Sequence, residues 1–327
     1  MKIIVGGATG LVGQEIIEVL EELSPQADAI VPAASERSIG RKILFRGQSY
    51  KVVSFEQAMN SGAEYAIFSA GSSVSKEWAP KFAKKGITVI DNSSAWRMDP
   101  GIPLVVPEIN TNHIKPSNKI IANPNCSTIQ MVVALASLHK KLTIKRIVVT
   151  TYQSVSGSGL AGIEQLMAER EGRTPMSMTY PHPIDLNALP HGGRFLENNY
   201  TTEEQKLIDE TRKILDEPDL RITSTVVRIP VTGGHSEAVN IEFDREFNIE
   251  EIKNILSNTD NIKIEDDPLQ NIYPMPVNIR KSNFTHVGRI RRDNSVENGI
   301  NLWVVADNLR KGAATNAVQI FNYLVNS

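Results

Sequence analysis

In its first 125 residues the chain alternates short apolar runs with amphipathic stretches. Lys2 to Gly6 is a buried-type strand, and the segment that follows it reads as an amphipathic helix ending near Leu23. Further strands are expected at Asp28 to Pro32, Tyr65 to Ser69, Ile87 to Asp91, Leu104 to Val106 and Lys119 to Ala122, with a helix near Val74 to Lys84. Strands separated by helices in this way imply a parallel sheet covered on both faces.

A second helix has apolar residues at Ile129, Val132, Val133, Leu135, Ala136 and Leu138, with Ser127 and Thr128 expected as its caps. Beyond it the strands lengthen: Lys145 to Tyr152, Thr223 to Pro230, Glu237 to Phe243, Phe284 to Arg292 and Ile300 to Ala306. They predict a second, α+β domain on a large mixed sheet. The stretch from Arg170 to Asn199 is polar, carries prolines and should be irregular, and Lys311 to Leu324 closes the chain as a helix returning to the first domain. The expected division is 1–126 with 309–327, against 127–308.

The first strand runs into Gly7-Ala8-Thr9-Gly10-Leu11-Val12-Gly13. Glycines three apart permit a tight turn, close approach to a pyrophosphate and helix-to-sheet packing, with the helix N-terminus toward the phosphates. Strand, loop and helix in this order point to a Rossmann-type dinucleotide site. After the second strand, Arg37 stands between Ser35 and Ser38, which suits the 2′-phosphate of NADP, although Glu36 argues the other way. Asp28 lies at the wrong end of its strand to reach a ribose.

The one cysteine, Cys126, sits in Asn123-Pro124-Asn125-Cys126-Ser127-Thr128, where a strand gives way to a helix. A thiolate is the reactive form, a free thiol has a pKa of about 8.5, and a helix N-terminus lowers it. A small buried hydrophobe is the alternative role for a lone cysteine. The turn-forming Pro124 and asparagines instead present the thiol at a strand end, where open α/β sheets bind ligands.

Composition narrows the classes. Hydrophobic residues at 41 % and charged residues at 22 % of 327, with a net charge of −2, describe a soluble globular protein with no electrostatic reason to bind nucleic acid or a membrane. One cysteine excludes an intrachain disulfide, and the six histidines show no metal-ligand spacing, so no metal is expected. No stretch nears the roughly 18 apolar residues of a membrane span, and the N-terminus lacks a signal-type apolar core, which implies a cytoplasmic protein. The basic run Arg289-Ile290-Arg291-Arg292 reads as a solvated strand face.

Several motifs taken together resemble the aspartate-semialdehyde dehydrogenase family, in its shorter, Gram-positive-like branch. They are Gly7 to Gly13, Asp91 to Met98, Asn123 to Thr128, Tyr152-Gln153 with Ser156 to Gly159, and Arg228-Ile229-Pro230 with His235-Ser236-Glu237. The resemblance implies reversible, NADP-dependent interconversion of L-aspartate 4-semialdehyde plus phosphate with 4-aspartyl phosphate, through a thioester on Cys126. It implies His235 as acid/base, Gln153 positioning the acyl-enzyme and Asn125 aiding the oxyanion. Arg228 would clamp the substrate carboxylate, Glu203 its ammonium group, and Arg97 and Lys206 the phosphate. Ser156, Gly157 and Asn308 join Gly7, Thr9, Gly10, Leu11, Val12, Gly13, Ser35, Arg37 and Ser38 as cofactor contacts. From spacing alone, Glu203 and Lys206 also fit an ordinary i,i+3 ion pair. A homodimer or homotetramer through the second domain is implied. The alternatives are N-acetyl-glutamyl-phosphate reductase, whose cysteine normally has a Gly-Cys-Tyr-Pro context, and a non-catalytic NADP-binding sensor.

Overall fold

The computed structural model describes residues 1–326 and resolves into two compact units, one formed by 1–125 with the C-terminal residues from 313, the other by 126–312. In the first unit, strand β1 (Lys2–Gly6) is followed by helix α1 (Leu11–Leu23), β2 (Ala29–Ala33), the hairpin β3 (Lys42–Phe45) and β4 (Gln48–Lys51), and α2 (Phe55–Met59). Then come β5 (Tyr65–Phe68), α3 (Ser72–Lys84), β6 (Thr88–Asp91), the single turn α4 (Pro107–Asn110) and β7 (Ile120–Ala122). The five-stranded sheet is parallel throughout, ordered β2-β1-β5-β6-β7.

Alternation along β1 explains the two layers. Ile3 and Val5 face α1 and the C-terminal helix, in a core with Ile16, Leu20, Val318 and Phe321. Ile4 faces the other way, onto Phe55, Phe68 and Phe82, whose rings meet edge to face. The order reverses at β1, whose neighbours are β2 and β5, so the Gly7 to Gly13 loop leaves the sheet at a topological switch point.

The second unit starts with α5 (Cys126–Leu142) and β8 (Ile144–Gln153), then α6 (Gly159–Arg170), α7 (Thr202–Leu215), β9 (Arg221–Arg228) and β10 (His235–Phe243). It ends with α8 (Ile249–Ser257), β11 (Ile262–Ile264), β12 (Thr285–Asp293) and β13 (Gly299–Ala306). The six-stranded mixed sheet is ordered β11-β12-β13-β10-β8-β9. Helix α5 is buried almost all round over its first ten residues, and Met131, Leu135 and Leu138 pack on Val149, Val239 and Ile241. Each such side chain contributes about 1.5–3 kcal/mol by burial. Helix α9 (Thr315–Asn326) closes the chain against the first sheet.

Several expectations need correction. Ser127 and Thr128 lie inside the first turn of α5, which begins at Cys126 itself, so they are not caps. Leu104 makes a single bridge to Ala122 instead of a strand, being hemmed in by Pro103 and Pro107. The last helix begins as a π turn over Arg310–Ala314 and becomes α-helical only at Thr315. The hairpin β3–β4 was not legible because its turn is Arg46-Gly47, both at positive φ, without the usual Asn or Asp. The basic run is broken by a bulge between Gly288 and Arg291, with Arg289 at φ 53, so it is not a regular strand face.

Among the described residues, no helix is long and apolar enough to cross a membrane, and no group of three or more His, Cys, Asp or Glu is arranged to hold a metal ion.

Candidate active site

In the first unit the glycines of the loop divide the work. Gly7 turns the chain at φ +79, and a Cβ there would stand 2.3 Å from the Ser69 carbonyl oxygen. A Cβ on Gly13 would stand 2.1 Å from the Gly7 carbonyl oxygen, so this glycine lets α1 pack. Gly10 is different: its nearest neighbour would be 3.4 Å away, which leaves its surface open to a ligand.

Leu11 and Val12 begin α1, whose N-terminus has no side-chain cap and no acidic residue in its first turn. Its unsatisfied N–H groups and dipole therefore suit an anion. Gly7 and Ala8 donate to the Ala33 carbonyl, which ties the loop to the end of β2 and puts Ser35 to Ser38 alongside it. The Thr9 and Ser38 hydroxyls are 3.3 Å apart, and Ser35, Glu36 and Arg37 are exposed.

Arg97 is buried and fixed by its Nε donating to the Asn123 carbonyl at 2.9 Å and its Nη2 to that of Asn92 at 2.8 Å. The Ser93 hydroxyl, in the same motif, donates to Asp91. Burial raises the Asp91 pKa, with Ser75, Ser93 and Arg97 pulling it back. Asn125 is buried next in sequence to the thiol.

In the second unit the functional side chains gather at one edge of the sheet. Strands β8 and β9 run parallel and end on the paired residues Gln153 and Arg228, while antiparallel β10 starts at His235 on the same edge, opposite the last residue of β13. Asn308 lies two residues past the end of β13 and its Oδ1 accepts from Ser156 Oγ at 3.1 Å. Helix α5 presents its first turn here, since Gln153 Nε2 donates to Ser127 Oγ at 3.0 Å. Cys126 is half-buried at the start of that turn. Gly312, in the π turn, lies against it: a Cβ on Gly312 would be 2.9 Å from the Cys126 Cβ.

His235 is completely buried. Its Nδ1 accepts from the Ser154 N–H at 3.0 Å, and its Nε2 has no hydrogen-bond partner. Burial, then the Arg228 charge, holds its pKa well below the usual value, slightly offset by the Gly234 backbone, so the ring is neutral at pH 7. Arg228 is also buried, donates from Nη1 to the Ser154 carbonyl at 2.6 Å, and leaves Nε without a partner. Tyr180 lies under its guanidinium at 5.9 Å.

Gly157 lies against both Arg228 and His235. A Cβ at that position would be 2.9 Å from Arg228 Nη1 and 3.0 Å from His235 Nε2. Buried polar atoms without partners are rare, and His235 Nε2 beside a bare glycine and a buried guanidinium defines a place for a polar ligand. Glu203 and Lys206, by contrast, pair with each other on α7, and Glu203 packs beside Gly192.

Sequence reasoning missed Gly312 and, on α5, Gln130, and gave no site role to Ser127 or to Glu237 on β10, although both lie in the motifs named above. Their only signal was polar or small character at positions where the periodicity calls for apolar bulk.

A parallel nucleotide-type sheet in one unit, and a mixed sheet with a thiol, a neutral imidazole and a buried guanidinium at one edge in the other, are the parts of a two-domain dehydrogenase. Family models support this: one described as "Semialdehyde dehydrogenase, NAD binding domain" matches residues 2–117, and one described as "Semialdehyde dehydrogenase, dimerisation domain" matches 135–311. The chain is 50 % identical to the aspartate-semialdehyde dehydrogenase of Aquifex aeolicus, over 99 % of this chain and 98 % of that one. It superposes with a TM-score of 0.96 on aspartate semialdehyde dehydrogenase II from Vibrio cholerae complexed with ASA, at 43 % identity, covering 100 % and 98 % of the two chains. A Candida albicans aspartate semialdehyde dehydrogenase with NADP is similar at TM-score 0.79 and 25 % identity, covering 99 % and 98 %. The chain belongs to the aspartate-semialdehyde dehydrogenase family. It is an oxidoreductase.

Proposed function

We propose that this chain interconverts L-aspartate 4-semialdehyde plus phosphate and 4-aspartyl phosphate with NADP, in amino-acid biosynthesis, through a thioester on Cys126. The observation that carries the reading is His235 Nε2, buried and without a partner, which lies with Arg228 Nη1 against Gly157. A substrate bearing both a carboxylate and a developing oxyanion suits them.

In the oxidative direction the Cys126 thiol loses its proton to solvent and the sulfur attacks the aldehyde carbon as the thiolate, while His235, neutral at pH 7 and with Nδ1 accepting from Ser154, carries its proton on Nε2 and donates it toward the carbonyl oxygen. Gln153 and Asn125 donate to the tetrahedral oxygen, whose charge reforms the carbonyl as hydride departs. NADP supplies the hydride acceptor when bound, and Gly10 with the uncapped start of α1 suits its pyrophosphate. A phosphate oxygen then attacks the thioester carbon and the sulfur leaves. Arg228 holds the substrate carboxylate, a task for a planar fork. Arg97 and Lys206 are assigned to phosphate, Glu203 to the ammonium group, and Arg37 with Ser35 and Ser38 to the 2′-phosphate, while Ser156, Gly157 and Asn308 complete the cofactor contacts.

The match to a dimerisation domain supports an assembly of copies of this chain, which we take as a homodimer or homotetramer in the cytoplasm. A monomeric sedimentation profile would contradict it. The test of the reaction is NADPH formation from L-aspartate 4-semialdehyde with and without phosphate. Turnover only with phosphate supports the acyl-phosphate pathway, turnover without it means water opens the thioester, and none in either case returns the chain to a binding role.

A further inference from the structure

The inner face of β10 reads His235, Glu237, Val239, Ile241, Phe243, and all five side chains are buried. The last three belong to the core beneath α5, so Glu237 occupies a position that the strand otherwise fills with apolar bulk. It is completely buried, and neither carboxyl oxygen completes a hydrogen bond of good geometry. Its neighbours across the strands are Thr151 on β8 and Val304 on β13, and α5 turns Ser127 and Gln130 toward it. None of these four titrates. The ionisable groups flanking the cluster are His235, two residues along the same face, and Cys126, one residue before Ser127.

An ionised carboxylate in such a place would be a buried charge with no counter-charge. The carboxylic acid is the form that fits, and the cluster has a use for its proton, since Gln130 Oε1 is an acceptor with no donor. Burial accordingly raises the Glu237 pKa well above its ordinary value, against a smaller opposing effect of Gln130 and Ser127.

The two residues facing Glu237 also touch the reacting groups. Ser127 accepts from Gln153 and is the residue next to Cys126, while Gln130 Nε2 donates to the His235 carbonyl at 3.4 Å. We propose that Glu237 is a positioning residue, kept as the neutral acid, that sets the first turn of α5 and the start of β10 so that thiol, glutamine and imidazole keep their places. The inference rests on the reading of Cys126 as nucleophile given above. Glutamine has the same shape, no charge and its own donor, so it should replace Glu237, whereas leucine should not.

The test compares Glu237→Gln and Glu237→Leu with the wild type in three measurements. In turnover, E237Q is expected to stay within about threefold of wild-type kcat, and E237L to fall about a hundredfold with KM for NADP unchanged, the scale of a misplacement near 1 Å. In alkylation of Cys126 by iodoacetamide, E237L slows and E237Q does not. In urea unfolding, a native pKa raised above the unfolded one makes the Glu237 contribution complete below about pH 4.5 and progressively lost as pH rises toward the native pKa. The urea midpoint of E237Q therefore gains on the wild type between pH 5 and pH 8.

Equal loss of kcat in E237Q and E237L would overturn the proposal, as would a midpoint difference that is the same at both pH values. If E237L fails to fold, the pH dependence of the E237Q midpoint still decides. Alkylation and unfolding need no turnover, so a wild type inactive with phosphate would sink the proposed reaction without deciding this inference.

Discussion

The two units build their sites from different materials. In the first, ligand-facing groups are largely backbone: a glycine loop, an uncapped helix start and a carbonyl-tethered turn. In the second they are buried side chains, Gln153, Arg228 and His235, brought together from strand ends up to 82 residues apart in sequence, from Gln153 to His235. Backbone sites depend on space and are altered by added atoms. Side-chain sites depend on proton and charge states and are altered by changing chemistry.

The sharpest break of this contrast is Cys126→Ala. Turnover should vanish while NADP affinity, measured by fluorescence titration, stays nearly unchanged, and a mutant keeping a tenth of the wild-type rate would contradict the covalent route. Next comes His235→Asn, expected to lower kcat by about 10²–10⁴-fold. Its stability should respond to pH as well. Because the native His235 pKa is depressed, its contribution is present above the unfolded value of about 6.5 and is lost as pH falls below it. The wild-type urea midpoint should therefore drop faster than that of His235→Asn below pH 6.5, and parallel curves would refute the buried neutral ring.

Glycine substitutions sharpen the comparison within each unit. Gly157→Ala should cost about a hundredfold in kcat/KM, since the methyl group meets both His235 and Arg228. Gly13→Ala should cost about 1–3 kcal/mol of stability through overpacking. Gly10→Ala should instead weaken NADP binding with a much smaller stability loss, and equal losses would mean that Gly10 does not face the ligand. The smallest effect is expected for Arg37→Ala: about tenfold less preference for NADP over NAD, or about 1.4 kcal/mol, from an exposed charge. An unchanged preference would remove Arg37 from the cofactor site.

Much of this was legible residue by residue. The strand-loop-helix start, the thiol at a helix N-terminus and the long strands of the second unit are local patterns, and periodicity finds them. Glu203 and Lys206 show the limit: spacing permitted both an ion pair and a ligand site, and the pair that the folded chain forms is compatible with either role. Ser93 shows another, because its hydroxyl belongs to Asp91, a partner two residues away that no periodicity marks.

The sequence by itself determined the layered α/β start, the glycine loop and the place of the thiol at a helix N-terminus, since hydrophobic period and steric allowance act over a few residues. Tertiary structure alone decided that Gly312 would lie against Cys126, that Gly157 would lie against His235 and Arg228, and that Glu237 would lie under α5. The reason is physical: burial, and the protonation states it imposes, depend on which distant strands share an edge.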